Sequence, residues 1–372
     1  MVFPSQTTRF LQYTLQSSLS YSSKVNLILT ILVHTATSRI SGFCWLIDEI
    51  LYRQQLNALS ITEPLFVLSA YRSASTQMAR TLARDTKRFV VPNAIMCAFP
   101  YLWLWKLVIW LFGDSDISTE EANRYLNKNF TQEALERHDN NHFEIDTFDG
   151  YFLSSHLNGL AFQLGSGVIE KEFNCARFEE WNRSLFEESF VEHVDRIARK
   201  TLLYNRVDAA SDQRFMLKGH FLQSADALRK RYPDGCFLSV LRDPMDRLQS
   251  GINHMAVNAT LWQGKAPDWN SLAEAFQKIE VEYCEVEMDW YSADDTKRLA
   301  VKFDDFVKHS QKTMTRVYRG LLDCNIDDIP RVDMTAKGPK LYAVNKSLKE
   351  LGVDEAALKQ QVARYYAWMK KQ

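Results

Sequence analysis

The stretch Glu63-Pro-Leu-Phe-Val-Leu-Ser-Ala-Tyr-Arg72-Ser73-Ala74-Ser75-Thr76-Gln-Met-Ala-Arg-Thr81 decides the fold. Leu65 to Ser69 carry no charge, follow a proline and give way abruptly to small hydroxyl residues, which is the pattern of a parallel strand buried on both faces. From Ser75 onward Met78, Ala79 and Leu82 recur at helical spacing, and Ser73, Ser75 and Thr76 offer hydroxyls for a helix start. Strand, tight loop and helix N-terminus gather several backbone N–H groups and the positive end of a helix dipole around one anion. The Gly-Lys-[Ser/Thr] ending of a Walker A loop is missing, and Arg72 precedes the hydroxyls rather than following them. Taken alone, the stretch reads equally well as an ordinary strand-to-helix connection.

A second stretch tips that balance. Cys236-Phe-Leu-Ser-Val-Leu-Arg242-Asp243-Pro244-Met-Asp246-Arg247-Leu-Gln-Ser250 again runs from a buried-looking strand into a charged turn, with Pro244 suited to a first helical turn. Arg242 stands at the carboxyl end of the strand, where ligands bind in open α/β sheets. Ser250 follows eight residues later, about two helical turns on. A guanidinium and a hydroxyl so spaced are able to share one phosphate, the arginine giving the bidentate part. The bland alternative is a local ion pair between Arg242 and Asp243.

At these residues the sequence resembles the sulfotransferases. Arg72-Ser73-Ala74-Ser75-Thr76 resembles their 5′-phosphosulfate loop, and Arg242-Asp-Pro-x-Asp-Arg-x-x-Ser250 their 3′-phosphate motif, in the expected order. Between them Arg214-Phe-Met-Leu-Lys218-Gly219-His220 resembles the strand whose histidine is the family's usual base. Weaker likenesses at Leu46–Leu51, Asp85–Phe89, Val301–Phe306 and Ser347–Gly352 extend the match over roughly residues 45 to 360, closer to the broad, largely microbial group than to the cytosolic phenol and steroid enzymes. The family's loop normally has glycine where Ala74 stands. Either φ is negative at Ala74 or the loop is slightly reshaped, since a Cβ penalises left-handed geometry. The Arg-Lys-Gly signature of the cytosolic enzymes is absent as such, Lys337-Gly338 being its nearest trace.

The resemblance implies a three-layer, P-loop-like α/β fold, with a central, mostly parallel sheet between helices. It also implies 3′-phosphoadenosine 5′-phosphosulfate as sulfuryl donor, in a scheme that needs no metal. Arg72, Ser73, Ala74, Ser75 and Thr76 would then hold the 5′-phosphosulfate, and Arg242 and Ser250 the 3′-phosphate. His220 would take the acceptor's proton, with Lys218, two residues back on the same strand face, assisting at the bridging oxygen. Arg72 would also offset charge on the leaving phosphate.

The rest of the chain bounds the reading. With 372 residues, 46% of them apolar, a sizeable core is available. A net charge of −1 gives no global field for nucleic acid. Six cysteines without a C-x-x-C pair speak against a zinc site and a disulfide framework, and suit reduced thiols inside a cell or organelle. Residues 1–47 contain no Asp or Glu and only Arg9, Lys24 and Arg39 as basic side chains. That composition suits a transit peptide, or, as the preferred reading, a helical N-terminal region packed on the domain. The expected organisation is an extension or targeting segment over 1–60 and a sulfotransferase domain over 61–372.

Residues 94–112 are the most apolar stretch, interrupted by Pro100 and Lys106. They read first as a core or pocket helix, second as a peripheral membrane contact and last as a span, because a lysine at a bilayer centre costs roughly 2.5–3.5 kcal/mol. Residues 114–200, with Phe178, Trp181, Leu185, Phe186 and Phe190, read as surface helices walling the pocket, and Asp146 and Asp149 as turn residues. His138 and His142 are spaced for a metal but read as a solvated pair. The acceptor expected from the aromatic content is an apolar small molecule or a lipid. Two other readings stay open. One is a non-catalytic nucleotide- or lipid-binding protein on the same sheet, suggested by Ala74 and the apolar stretch. The other is a nucleotide-dependent kinase, which the missing Gly-Lys-[Ser/Thr] disfavours.

Overall fold

The computed structural model describes residues 20–112, 118–128, 141–149, 188–207, 212–263, 267–324 and 345–372, with isolated positions at 8, 11, 12, 14–16, 132, 135 and 329. Phe178, Trp181, Leu185, Phe186, His138 and Lys337-Gly338 lie outside the described residues.

Five strands, β1 (Leu65–Leu68), β2 (Phe89–Val90), β3 (Arg214–Gly219), β4 (Cys236–Leu241) and β5 (Arg298–Lys302), form one sheet in the order β2-β3-β1-β4-β5. Every pairing is parallel. Among the described residues the helices are α1 (Tyr21–Ala58), α2 (Ser75–Ala83), α3 (Ala94–Ala98), α4 (Leu102–Phe112), α5 (Thr119–Leu126), α6 (Glu188–Tyr204) and α7 (Ala225–Arg231), followed by α8 (Pro244–Gln263), α9 (Trp269–Tyr291), α10 (Phe303–Lys308), α11 (Ser310–Gly320), α12 (Glu355–Gln361) and α13 (Ala363–Met369).

β1 sits in the middle because its residues are apolar without alternation, so both faces must be covered. Phe66 and Leu68 join Phe215, Leu217 and Phe237 in a core shared with α6, α8 and α9. Leu65 and Val67 face the other way, with Met216, Leu238 and Val240, onto Met78 and Leu82 of α2 and Met314 and Val317 of α11. The result is the expected three layers. At the end of the β1–β4 ladder the Ser69 hydroxyl accepts the Val240 N–H at 2.9 Å, continuing the bonding where β1 turns away.

The apolar stretch 94–112 is two helices rather than one. Asn93 caps α3 through Met96 N, and the chain breaks at Pro100 before α4. The cap of α4 comes from α1: the Asp48 carboxylate accepts Leu102 N–H at 2.8 Å and Trp103 N–H at 2.9 Å. Buried Asp48 is in turn paired with buried Lys200 of α6 at 2.8 Å. Burial pushes the Lys200 ammonium down to about 8, against the pull of Asp48. Arg196 to Glu49 at 3.0 Å completes the clamp holding the C-terminal half of α1 against the domain.

Candidate active site

The loops at the carboxyl edge of β1, β3 and β4 carry the residues singled out above. After β1 the chain turns sharply, with Arg72 at φ 62° and Ala74 at φ 70°. Ala74 therefore keeps the left-handed geometry that glycine would adopt freely, at a cost of roughly 1–2 kcal/mol for its Cβ. The N-cap of α2 is Ala74 rather than one of the hydroxyl residues, and it makes no side-chain cap bond. Ser73 turns back instead, its Oγ donating to Ala70 O at 2.6 Å. The N-cap residue thus offers no side-chain acceptor to the positive end of α2, which lies in the crevice where an anion fits.

After β4 the helix start is handled differently. Asp243 Oδ1 accepts the N–H groups of Met245 and Asp246 at 2.8 and 3.3 Å, and its Oδ2 accepts Tyr366 OH at 3.0 Å. Arg242 is therefore not paired with Asp243. Its Nη1 donates to Arg72 O at 2.9 Å, its Nη2 lies 3.8 Å from Asp246, and its guanidinium stacks over Phe303. Arg242 Nε is buried and has no hydrogen-bond partner. Arg72 Nε donates to Ser250 Oγ at 3.0 Å, so side chains 178 residues apart meet across the crevice. Arg242, Ser250 and Arg72 form one cluster, and the unspent donor of Arg242 fits an anionic oxygen.

Arg247, five residues beyond Arg242, does structural work. Its side chain is fully buried and bonds Glu280, Glu287, Tyr365 and Cys284. Tyr365 OH also donates to Glu287 at 2.7 Å, and Ser239 Oγ donates to the other oxygen of that carboxylate. β4, α8, α9 and α13 are tied through this one guanidinium, which is why the C-terminal helices close against the turn.

Lys218 and His220 stand at the end of β3, beside β1. Lys218 is 1% exposed, and burial lowers its pKa while Asp146 and Asp149 pull it back up. Its Nζ donates to Thr147 Oγ1 and lies 3.3 Å from His220 Nε2. His220 Nδ1 is 2.8 Å from Ser69 O. A carbonyl only accepts, so Nδ1 carries the hydrogen and Nε2 keeps its lone pair toward Lys218 and Thr147.

Two residues read from the sequence as turn positions belong to this site or border it. Asp149 is buried and its Oδ1 accepts the His220 backbone N–H at 2.7 Å. Burial pushes its carboxyl up to about 6, with the His220 N–H and Lys218 working against the rise. Asp146, also buried, accepts the Thr147 N–H at 2.7 Å. Gly219 fits the gap between Lys218 and His220 because a Cβ there would come within 2.5 Å of Asp149 Oδ1 and closer still to Phe221. Thr147, unremarked in the sequence, touches both polar groups at the end of β3. No local pattern marks it, because the contact crosses 71 positions to Lys218. His142 bonds Asn127 at 3.0 Å, and His138 lies outside the described residues.

The profile of the sulfotransferase family matches residues 64–327. The solved structure of sulfotransferase STF1 from Mycobacterium tuberculosis H37Rv superposes with a TM-score of 0.64 at 17% identity, over 96% of this chain and 92% of that one. Sulfotransferase STF9 from Mycobacterium avium gives 0.63 at 15% identity, over 98% and 96%. At these identities the likeness is one of fold. A search of curated proteins by sequence finds no match.

Proposed function

This chain belongs to the sulfotransferase family, and from that premise we propose that it moves a sulfuryl group from 3′-phosphoadenosine 5′-phosphosulfate to a hydroxyl of an apolar small-molecule or lipid acceptor. One observation carries the donor reading. Arg72 of the first loop reaches Ser250 of the second motif, while Arg242 reaches back to the Arg72 carbonyl. The uncapped start of α2, with Arg72, Ser73, Ala74, Ser75 and Thr76 around it, suits the 5′-phosphosulfate. Arg242 with its unspent Nε, and Ser250, suit the 3′-phosphate that separates this donor from ATP.

Sulfuryl transfer leaves a protein little covalent work, so positioning and charge stabilisation dominate. The acceptor oxygen bonds to sulfur as the bond from sulfur to the 5′-phosphate oxygen breaks. The acceptor's proton passes to His220 Nε2, and the electron pair stays on the phosphate oxygen, where Arg72 and Lys218 offset the growing charge. The Nδ1–H bond to Ser69 O favours this role by holding the tautomer whose Nε2 is basic. Tyr71, edge-on to His220 at 6.2 Å and packed with Phe276 and Tyr283, forms a buried aromatic wall behind His220.

A thermal-shift titration tests the donor reading. Adenosine 3′,5′-bisphosphate is expected to raise the unfolding midpoint well above what AMP or ATP achieves, since a ligand that binds only the folded state stabilises by mass action. Equal stabilisation by ATP, or none by the bisphosphate, overturns it. His220→Ala then separates enzyme from binder: donor affinity is kept and turnover falls by about 10²-fold or more.

A further inference from the structure

Outside the crevice, the most unusual surface is an apolar face made by α1 and α4. On α1, Leu29, Ile40, Phe43 and Ile50 are all more than half exposed, and Ile50 reaches 72%. At 100° per residue these positions fall on one side of the helix, and the stripe runs on from Val25 to Leu51, about 40 Å at the usual rise. The opposite side of α1 holds Asp48 and Glu49, which face Lys200 and Arg196 of the domain. α4 packs beside α1, with Lys106 over the Tyr52 ring at 4.1 Å, and adds exposed Ile109 and Trp110, the latter at 79%. Contiguous apolar surface of this extent is rare on a protein that meets only water.

We propose that this face lies on a lipid bilayer bearing anionic headgroups, with α1 in the plane of the interface. Charge decides between occupants. Residues 1–47 have no carboxylate, the two that follow are turned inward and paired, and Arg39 is exposed at the margin of the stripe. The margin is therefore positive, which attracts anionic lipid, whereas a second copy would set the same positive margin against its own. Shape decides between lying and spanning. The segment Lys24–Ala58 is long and apolar enough to cross a membrane, but ion pairs and the Asp48 cap fix one side of it to the folded domain, so acyl chains reach only the other side. Trp110 at the edge suits the headgroup level. The inference is independent of the donor chemistry.

The test is flotation of the full-length chain with phosphatidylcholine vesicles, with and without phosphatidylserine. The chain is expected to float with the anionic vesicles and to be released by salt. Arg39→Glu, a change of two charge units, should lower the partition coefficient about 25-fold, on the basis of roughly one fivefold factor per charge unit near the surface. Combined Phe43→Ser, Ile50→Ser and Trp110→Ser should abolish flotation while leaving the circular-dichroism melting point in place. Failure to float with anionic vesicles overturns the proposal, as does equal binding to neutral ones. Elution as a dimer that the triple variant makes monomeric, without vesicle binding, assigns the face to a second copy instead. Resistance to alkaline carbonate with protection of the N-terminus from protease would replace the in-plane arrangement by a span.

Discussion

The two strand-to-helix turns at the carboxyl edge of the sheet begin their helices in opposite ways. The turn after β1 is strained at Arg72 and Ala74 and leaves α2 without a side-chain cap. The turn after β4 is capped by Asp243, whose other oxygen holds Tyr366. A helix start whose N–H groups already meet a carboxylate has little to offer a phosphate, so in the proposed donor site the β4 side contributes side chains, Arg242 and Ser250. On the β1 side the backbone itself is available. The same contrast recurs within one motif: Arg242 keeps an unpartnered Nε at the crevice, while Arg247 spends its guanidinium on buried carboxylates.

That contrast is open to breakage, beginning with the largest effect. Arg247→Ala leaves two buried glutamates unpaired and should cost about 3–5 kcal/mol in urea unfolding. Arg242→Ala should leave stability within about 1 kcal/mol but weaken adenosine 3′,5′-bisphosphate binding about 10- to 100-fold by calorimetry. If the two arginines exchanged these phenotypes, the division into ligand and scaffold roles would be lost.

Asp149 gives a pH signature. Burial pushes its folded carboxyl up to about 6, above the 3.8 usual for an aspartate, so the folded state holds this proton more tightly than the unfolded one. Its stabilising contribution is complete below about pH 4 and is lost as pH rises through 6. Unfolding midpoints of wild type, measured relative to Asp149→Asn across this window, should therefore fall with rising pH and level off above it. A flat difference would mean that burial does not govern the group.

Two smaller effects test the helix starts directly. Asp243→Ala removes a real cap and should cost about 1 kcal/mol, whereas Ser75→Ala removes none and should cost less than about 0.5 kcal/mol. Ala74→Gly relieves left-handed strain and should stabilise by about 0.5–1 kcal/mol in the same assay, the gain being reduced by the freer unfolded glycine. Destabilisation by glycine there would show that the Ala74 methyl contributes packing that outweighs its backbone strain.

Much of the fold was legible because it rests on local patterns. Uninterrupted apolar runs at Leu65–Leu68 and Cys236–Leu241 require cover on both faces, and two such strands, each leading into a helix, imply a layered parallel sheet. Arg72, Arg242 and Ser250 were legible for a related reason: residues at the carboxyl ends of such strands face one crevice. The residues missed are those whose roles come from partners distant in sequence. Asp149 looks like a turn aspartate until the fold sets it against the His220 N–H, 71 positions away. Arg247 looks like Arg242 until α9 and α13 surround it. The hydroxyls of the first loop advertise a cap that the left-handed turn at Ala74 turns aside. The sequence by itself therefore determined the buried strands β1 and β4 and the charged and hydroxyl residues at their ends, since period and residue type act over a few positions. Only the tertiary structure decided which arginine keeps an unspent donor, which carboxylate is buried and which face of α1 is left bare, because burial and pairing depend on what the rest of the chain brings alongside.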